Sequence, residues 1–259
     1  MKCYHVDAFT NRIFAGNPAA VCVLETWLPD DLMQHIAAEN NLSETAFVVP
    51  KGEHYHLRWF TPNSEIDLCG HATLATAFVL QTQFMLDADC FHFHTLSGVL
   101  TVNCCNGYYE MDFPRYALQA VEITDTLIQA LGFVPQEAWL GRDLVCVAHN
   151  EQQIWAAQPD MAKVAQLEGL LLHITASAQK YDCVSRSFAP KLGIVEDPVC
   201  GSGHCHIAPL WAEKLGKTSI MAYQASARGG QLLCRMVSSE RMILAGSAVL
   251  YAVADLMIE

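Results

Sequence analysis

Polar and apolar positions alternate from the first residues. Cys3, His5 and Asp7 interleave with Tyr4, Val6 and Ala8, a period of two that predicts a strand. Gly16-Asn17-Pro18 reads as a turn, and Ala19–Leu24 as a buried strand. Pro29 with Asp30 and Asp31 suits a helix first turn, where proline loses no needed N–H and carboxylates favour the dipole. That helix is expected to end near Asn40-Asn41. Ser43–Val49 then reads as a strand with Glu44 near its start, followed by a hairpin strand over His54–Phe60. A helix is predicted over about 71–81. Strands follow at Cys90–His94, Leu96–Asn103 and Tyr108–Phe113, the last two joined by Asn106-Gly107, a two-residue hairpin signal.

The second half repeats this order. A helix is expected near 124–131, with strands at 144–148, 154–157, 170–175 and 182–188, and a long helix ending at Gly216. Each long helix opens from a Cys-Gly step that an acidic residue precedes by two or three places. These are Glu65-Ile66-Asp67-Leu68-Cys69-Gly70-His71 and Glu196-Asp197-Pro198-Val199-Cys200-Gly201-Ser202-Gly203. Ser/Gly turns leading into a strand follow both helices, around Ser97-Gly98 and Ser226–Gly230. The repetition predicts two related lobes, 1–116 and 117–259, with the boundary near 114–123 and a final strand near 248–259 that can return to the first lobe.

Composition narrows the class. Hydrophobic residues make up 52% and charged residues 16% of the 259, a globular balance large enough for a substantial core. The net charge of −12 argues against nucleic acid and against anionic membranes as partners, but a local field still admits a small anionic substrate. No stretch approaches the ~20 apolar residues a spanning helix needs, and no signal-type core opens the chain, so a cytoplasmic location is expected. Eleven cysteines, an odd number without framework spacing, read as reduced thiols.

Cys69 and Cys200 stand out among these thiols. A helix N-terminus can lower a thiol pKa to roughly 3.5–7.5, making a thiolate base. The N–H groups of Gly70, His71, Gly201 and Ser202 can hold a carboxylate, and the missing side chains at Gly70 and Gly201 permit close approach. Glu44 reads either as a surface charge or as a desolvated base, and Asp197 either as a turn cap or as site chemistry. The His54/His56 and His92/His94 pairs each share a strand face, but no pair has a standard zinc spacing, and no catalytic metal is expected. There is no dinucleotide or phosphate-loop motif, so no cofactor is expected.

Val6-Asp7-Ala8-Phe9, Gly16-Asn17-Pro18-Ala19-Ala20-Val21, Leu42–Phe47, Cys69–Thr73 and Glu196–Val199 with Gly201-Ser202 together resemble, in order, the phenazine-biosynthesis PhzF-like family. The resemblance implies an α+β fold similar to diaminopimelate epimerase, with two lobes, each a curved, mostly antiparallel sheet around a central helix. It places the site in the cleft between them. It implies a cofactor-independent isomerase acting on a small carboxylate-bearing metabolite, and makes a homodimer plausible. Glu44 matches the family's proton-transferring glutamate, and His71, Asp197 and Ser202 match its supporting residues. Asn17, Gly70, Gly201 and Gly203 are the expected substrate-binding positions. Many members carry Thr where this chain has Cys200. Cysteine at both devices is the pattern of two-base racemases and epimerases, so a reaction through Cys69 and Cys200 is the alternative. A non-catalytic, small-molecule-binding or redox-responsive protein is the reading from another class.

Overall fold

The computed structural model describes residues 1–84 and 88–258. In chain order its elements begin with β1 (Lys2–Ala8), β2 (Asn17–Val23), α1 (Asp30–Asn40), β3 (Glu44–Lys51), β4 (His54–Phe60), β5 (Glu65–Ile66) and α2 (Gly70–Val79). Next are β6 (Cys90–Thr95), β7 (Gly98–Cys105), β8 (Tyr108–Pro114), β9 (Gln119–Ala120), α3 (Asp125–Leu131), β10 (Glu137–Leu140), β11 (Leu144–Val147), α4 (Glu151–Ala156) and α5 (Met161–Val164). The chain closes with β12 (Leu172–Ser177), β13 (Cys183–Ala189), β14 (Ile194–Asp197), α6 (Gly201–Leu215), β15 (Ser219–Gln224), β16 (Gly230–Met236), β17 (Arg241–Gly246) and β18 (Ala248–Asp255). Two compact units result, one of residues 1–112 with the stretch from Ala245 onward, the other Phe113–Leu244.

In the first unit β1 lies between β18 and β2, antiparallel to both. β2 runs parallel to β3, β3 antiparallel to β4, and β4 parallel to β6, which begins the antiparallel run β6–β7–β8. The sheet surrounds α2, which touches β1, β2, β3, β7 and β18. Such a helix must be apolar on every side. His71 through Ala77 and Val79 are all buried. The two buried threonines satisfy their hydroxyls within the helix, Thr73 donating to the Cys69 carbonyl (2.5 Å) and Thr76 to that of Ala72 (2.7 Å). Alanines at 72, 75 and 77 let the strands approach closely.

The second unit repeats the plan. β10 is antiparallel to β11, β11 parallel to β12, β12 antiparallel to β13, β13 parallel to β15, and β15 antiparallel to β16. Its α6, buried from Gly203 to Ala212, contacts β12, β15 and β16. The strand–short strand–helix–parallel strand order of β4–β5–α2–β6 thus recurs as β13–β14–α6–β15.

Residues 154–157, expected as a strand, belong instead to helix α4 and its end. Asn150 caps this helix, its side-chain carbonyl accepting from the Gln153 N–H at 3.0 Å, and Glu151 lies in the first turn. Ile154 points into the core while Trp155 is exposed, so the apolar run is one helical turn with a single buried face. Among the described residues, no helix is long and apolar enough to cross a membrane.

The second core also holds imidazoles. His204 and His206 are fully buried, and burial pushes both down to about 4. His204 remains neutral between the Cys200 carbonyl (2.7 Å) and the Ser185 hydroxyl (3.3 Å). A histidine depressed in the folded state binds its proton more readily when unfolded, near pH ~6.5. Its contribution is therefore complete above that pH and is lost as pH falls toward 4. Thermal denaturation between pH 7 and 4 is expected to show a steep fall in Tm across this window, and His206→Gln is expected to flatten it. An equal slope in the variant overturns the assignment.

Candidate active site

The first unit assembles its candidates around the start of α2. Cys69 is the N-cap residue, in extended conformation, so the N–H groups that follow are those of the first turn, which have no partner within the helix. Glu44 opens β3 next to β2, where its cross-strand partner is Ala19. It is only 9% exposed, and its Oε2 stands 3.0 Å from Nε2 of the buried His71. The approach lacks hydrogen-bond alignment. Glu44 Oε2 and His71 Nε2 therefore have no hydrogen-bond partner among the described residues. A buried carboxylate and a buried imidazole with open valences are costly to folding and suited to handling a proton. His71 Nδ1 is 3.5 Å from Cys69 Sγ. Burial works to lower the His71 pKa, but the Cys69 sulfur and the Glu44 carboxylate outweigh it and hold the imidazole well above its usual range. Gly70 opens the helix. Asn17, at the start of β2, is buried and accepts from the Ser43 hydroxyl at 3.5 Å. The preceding Gly16 has φ +67°, and a Cβ there would meet the Ala8 carbonyl oxygen at 2.1 Å, so the Gly-Asn-Pro turn admits no larger residue.

The second unit builds its own helix start. Cys200 is the N-cap of α6, and its sulfur accepts from the Gly203 N–H at 3.3 Å. Asp197 ends β14 and caps the turn, its Oδ1 accepting from the Val199 N–H at 3.0 Å. Ser202 lies two residues past Cys200, 3.5 Å from its sulfur. Gly201 opens the helix beside it. Gly203 is explained by packing, because a Cβ there would lie 2.5 Å from the His173 ring, and its N–H is already engaged by Cys200.

Sequence reading missed the group that braces this turn. The Arg142 guanidinium donates to Ser202 Oγ at 3.0 Å, lies over the Tyr116 ring at 5.0 Å, and grips the fully buried Asp143 at 3.1 and 2.7 Å. Asp143 also meets His173 Nε2 at 3.1 Å, and His173 Nδ1 meets the Ser187 hydroxyl at 2.9 Å. From there Gln224 leads back to the helix start. Its Oε1 accepts from the Cys200 N–H at 2.9 Å and its Nε2 donates to the Asp197 carbonyl at 2.6 Å. Burial opposes the charge on Asp143, but hydrogen bonds from His173 and Arg142 hold its carboxyl well below the usual range. Arg142 and Asp143 sit in a loop and Gln224 at a strand end, with no local pattern to flag them.

A second pair was legible as a repeat yet went unread. Arg58 binds Glu65 through two contacts of 2.7 Å and lies 5.1 Å over Phe60. Arg186 binds Glu196 at 2.8 and 2.9 Å and lies 5.1 Å over Phe188. Each glutamate stands four residues before its cysteine. Arg-x-Phe upstream of Glu-x-x-x-Cys-Gly is therefore the full duplicated device, with the fork-to-carboxylate bond fixing the short strand from which each helix starts.

Sheet register shows where the copies differ. Thr45 pairs with Phe60 and Leu172 with Phe188, so the position of Glu44 is taken in the second unit by Leu171. Leu171 packs with Ala189 and Cys200 in a small apolar cluster. Ile66 opposite Trp59 corresponds likewise to Asp197 opposite Ser187. One frame thus carries a carboxylate beside its thiol, and the other a hydrocarbon.

The expectation of acidified thiols is corrected. Cys69 and Cys200 occupy helix starts, but they are 7% and 3% exposed. Burial, reinforced by Glu44, pushes the Cys69 thiol up, and burial with Asp197 pushes Cys200 well above the ordinary thiol range. Desolvation of a thiolate outweighs the favourable helix dipole. Among the described residues, two trios have donor atoms within 4.8 Å of one another, close enough for a metal ion, Glu44–Cys69–His71 and Asp143–His173–His206. In the second, Asp143 and His173 already have strong protein partners.

A protein of Pseudomonas aeruginosa described as an uncharacterized isomerase is 46% identical, over 97% of this chain and 96% of its own length. The crystal structure of a phenazine biosynthesis protein of the PhzF family from Enterococcus faecalis superposes with a TM-score of 0.97 at 48% identity, covering 99% of both chains. A predicted epimerase from P. aeruginosa shares the fold, with a TM-score of 0.77 at 20% identity over 100% of this chain and 99% of its own. The relatives make this chain an isomerase, and its α+β fold is shared with the predicted epimerase. Residues 6–254 match the model of the phenazine biosynthesis-like proteins, and the chain belongs to that PhzC-PhzF family.

Proposed function

We propose that the protein is a cofactor-independent isomerase that moves a proton between carbons of a small carboxylate-bearing metabolite, with Glu44 as general base and then general acid. The carrying observation is the buried Glu44–His71 pair at 3.0 Å, set where the second unit has Leu171. Glu44 takes a proton from a carbon activated by the substrate's unsaturation or carbonyl. His71, its Nε2 3.0 Å away, stabilises the carboxylate beforehand and the delocalised anion afterwards. Glu44, now protonated, returns the proton to a second carbon. Cys69 remains a thiol and orients the imidazole through Nδ1. Within the second unit, the start of α6 with Ser202 and the Arg142 guanidinium 3.0 Å from it has by itself the chemistry that suits a carboxylate, with Asp197 holding the turn in shape.

The raised thiols weigh against a two-cysteine reaction, and a buried carboxylate set 3.0 Å from a buried imidazole weighs against a purely binding role. The test is proton NMR of a panel of small unsaturated and keto carboxylates incubated with chelator-dialysed protein in deuterated water. Deuterium should enter a carbon position of the true substrate without any added cofactor. Exchange that appears only when a metal or organic cofactor is supplied would sink the cofactor-independent reading.

A further inference from the structure

One face of the first unit's sheet carries histidines that the reaction does not use. His54 and His56 alternate along β4, and His92 and His94 along β6, so each pair points to one side of its strand. The strands are parallel neighbours with His56 directly opposite His94. All four side chains are exposed, while the residues that alternate with them on β6, Phe91 and Phe93, are buried in the core. The imidazoles meet. The His94 ring centre is 5.1 Å from that of His54 and 5.5 Å from that of His56, and His54 lies 6.3 Å from His92. His92 is already engaged, Nδ1 with the Thr101 hydroxyl at 3.1 Å and Nε2 with the Cys90 sulfur at 3.7 Å.

We infer that His54, His56 and His94 form a surface site for a borderline divalent transition-metal ion, separate from the residues of proton transfer. Three neutral imidazoles suit zinc, nickel or copper rather than calcium or magnesium, which take oxygen. Alternate histidines on one strand chelate from one side, and a cross-strand histidine closes the third position, leaving the remaining positions to water. The rings now lie stacked or tilted rather than aimed at one point. Because all three are exposed, turning their nitrogens toward an ion requires only rotamer changes that no packing resists. The sequence pairs lack any standard zinc spacing because two ligands come from one strand and the third, His94, lies 38 and 40 residues after them on another strand, joined only by sheet register.

The test is nickel(II) titration of the full chain, followed by imidazole ¹H–¹⁵N NMR and equilibrium dialysis. One equivalent should bind and selectively broaden the ring signals of His54, His56 and His94. Because the Glu44–Cys69–His71 trio can also take a metal, Glu44→Gln is run in parallel and should leave this binding unchanged. His94→Ala should weaken it by about tenfold or more, since even losing a group that only supports a ligand costs 10–100-fold. The proposal is overturned if binding is not saturable, if it survives a His54→Ala/His94→Ala double change, or if Glu44→Gln rather than His94→Ala abolishes it. The ring-signal broadening in the unaltered protein decides the matter independently of how the variants fold.

Discussion

Glu44→Gln is expected to lower turnover of the true substrate by about 10²–10⁴-fold, the usual worth of a positioned general base. The amide has the shape of the carboxylate but cannot take a proton from carbon. KM should change little, because glutamine keeps the size and polarity of the glutamate side chain. Folding should survive, since the substituted glutamine keeps the side-chain volume at the head of β3. A second readout separates catalysis from mere positioning. The wild-type His71 pKa lies well above its ordinary value, with the Glu44 carboxylate among its causes. In the variant it should fall, which NMR titration of the imidazole reads directly. Turnover near the wild-type rate would remove Glu44 from the mechanism. An unchanged His71 titration would show that the two groups are not electrostatically linked.

The second large effect is on stability. Asp143→Ala is expected to cost about 3–5 kcal/mol, the usual penalty for removing one partner of a buried ion pair. The fully buried His173 would lose its carboxylate at 3.1 Å, and Arg142 would lose both of its bonds to Asp143. At roughly 2–4 °C per kcal/mol for a chain of this size, Tm should fall by about 6–20 °C. Asp143→Asn, which keeps an acceptor, should fall less. The pH dependence gives the sign. A carboxyl held below its unfolded value contributes stability that is present above about pH 4 and lost as pH falls through its folded value. Wild type and Asp143→Ala should therefore converge in strong acid and separate toward neutrality. A gap of only a degree or two at pH 7 would show that the network contributes little.

Much of this molecule was legible along the chain. The alternation in Lys2–Ala8, the Asn106-Gly107 hairpin and the two helices opening at Cys-Gly steps depend on near neighbours, and neighbours are what a sequence displays. The Ile154–Ala157 segment misled for the same reason. Its apolar run satisfies a strand template, and only the Asn150 cap and the single buried face of Ile154 make it helical.

The chemistry divided differently. Ordered motifs marked Glu44, His71, Asp197 and Ser202, and the repeat marked the two cysteines. The sequence by itself determined the duplication, the two helix starts and the choice of candidate residues, because these reside in local spacing and motif order. Only the tertiary structure decided the electrostatics. Burial raised both thiols that helix placement alone would have lowered. Sheet register set Glu44 against its counterpart Leu171, and a loop arginine was brought to Ser202 across 60 residues of chain. Those outcomes depend on desolvation and on contacts between distant segments, which exist only once the strands have paired.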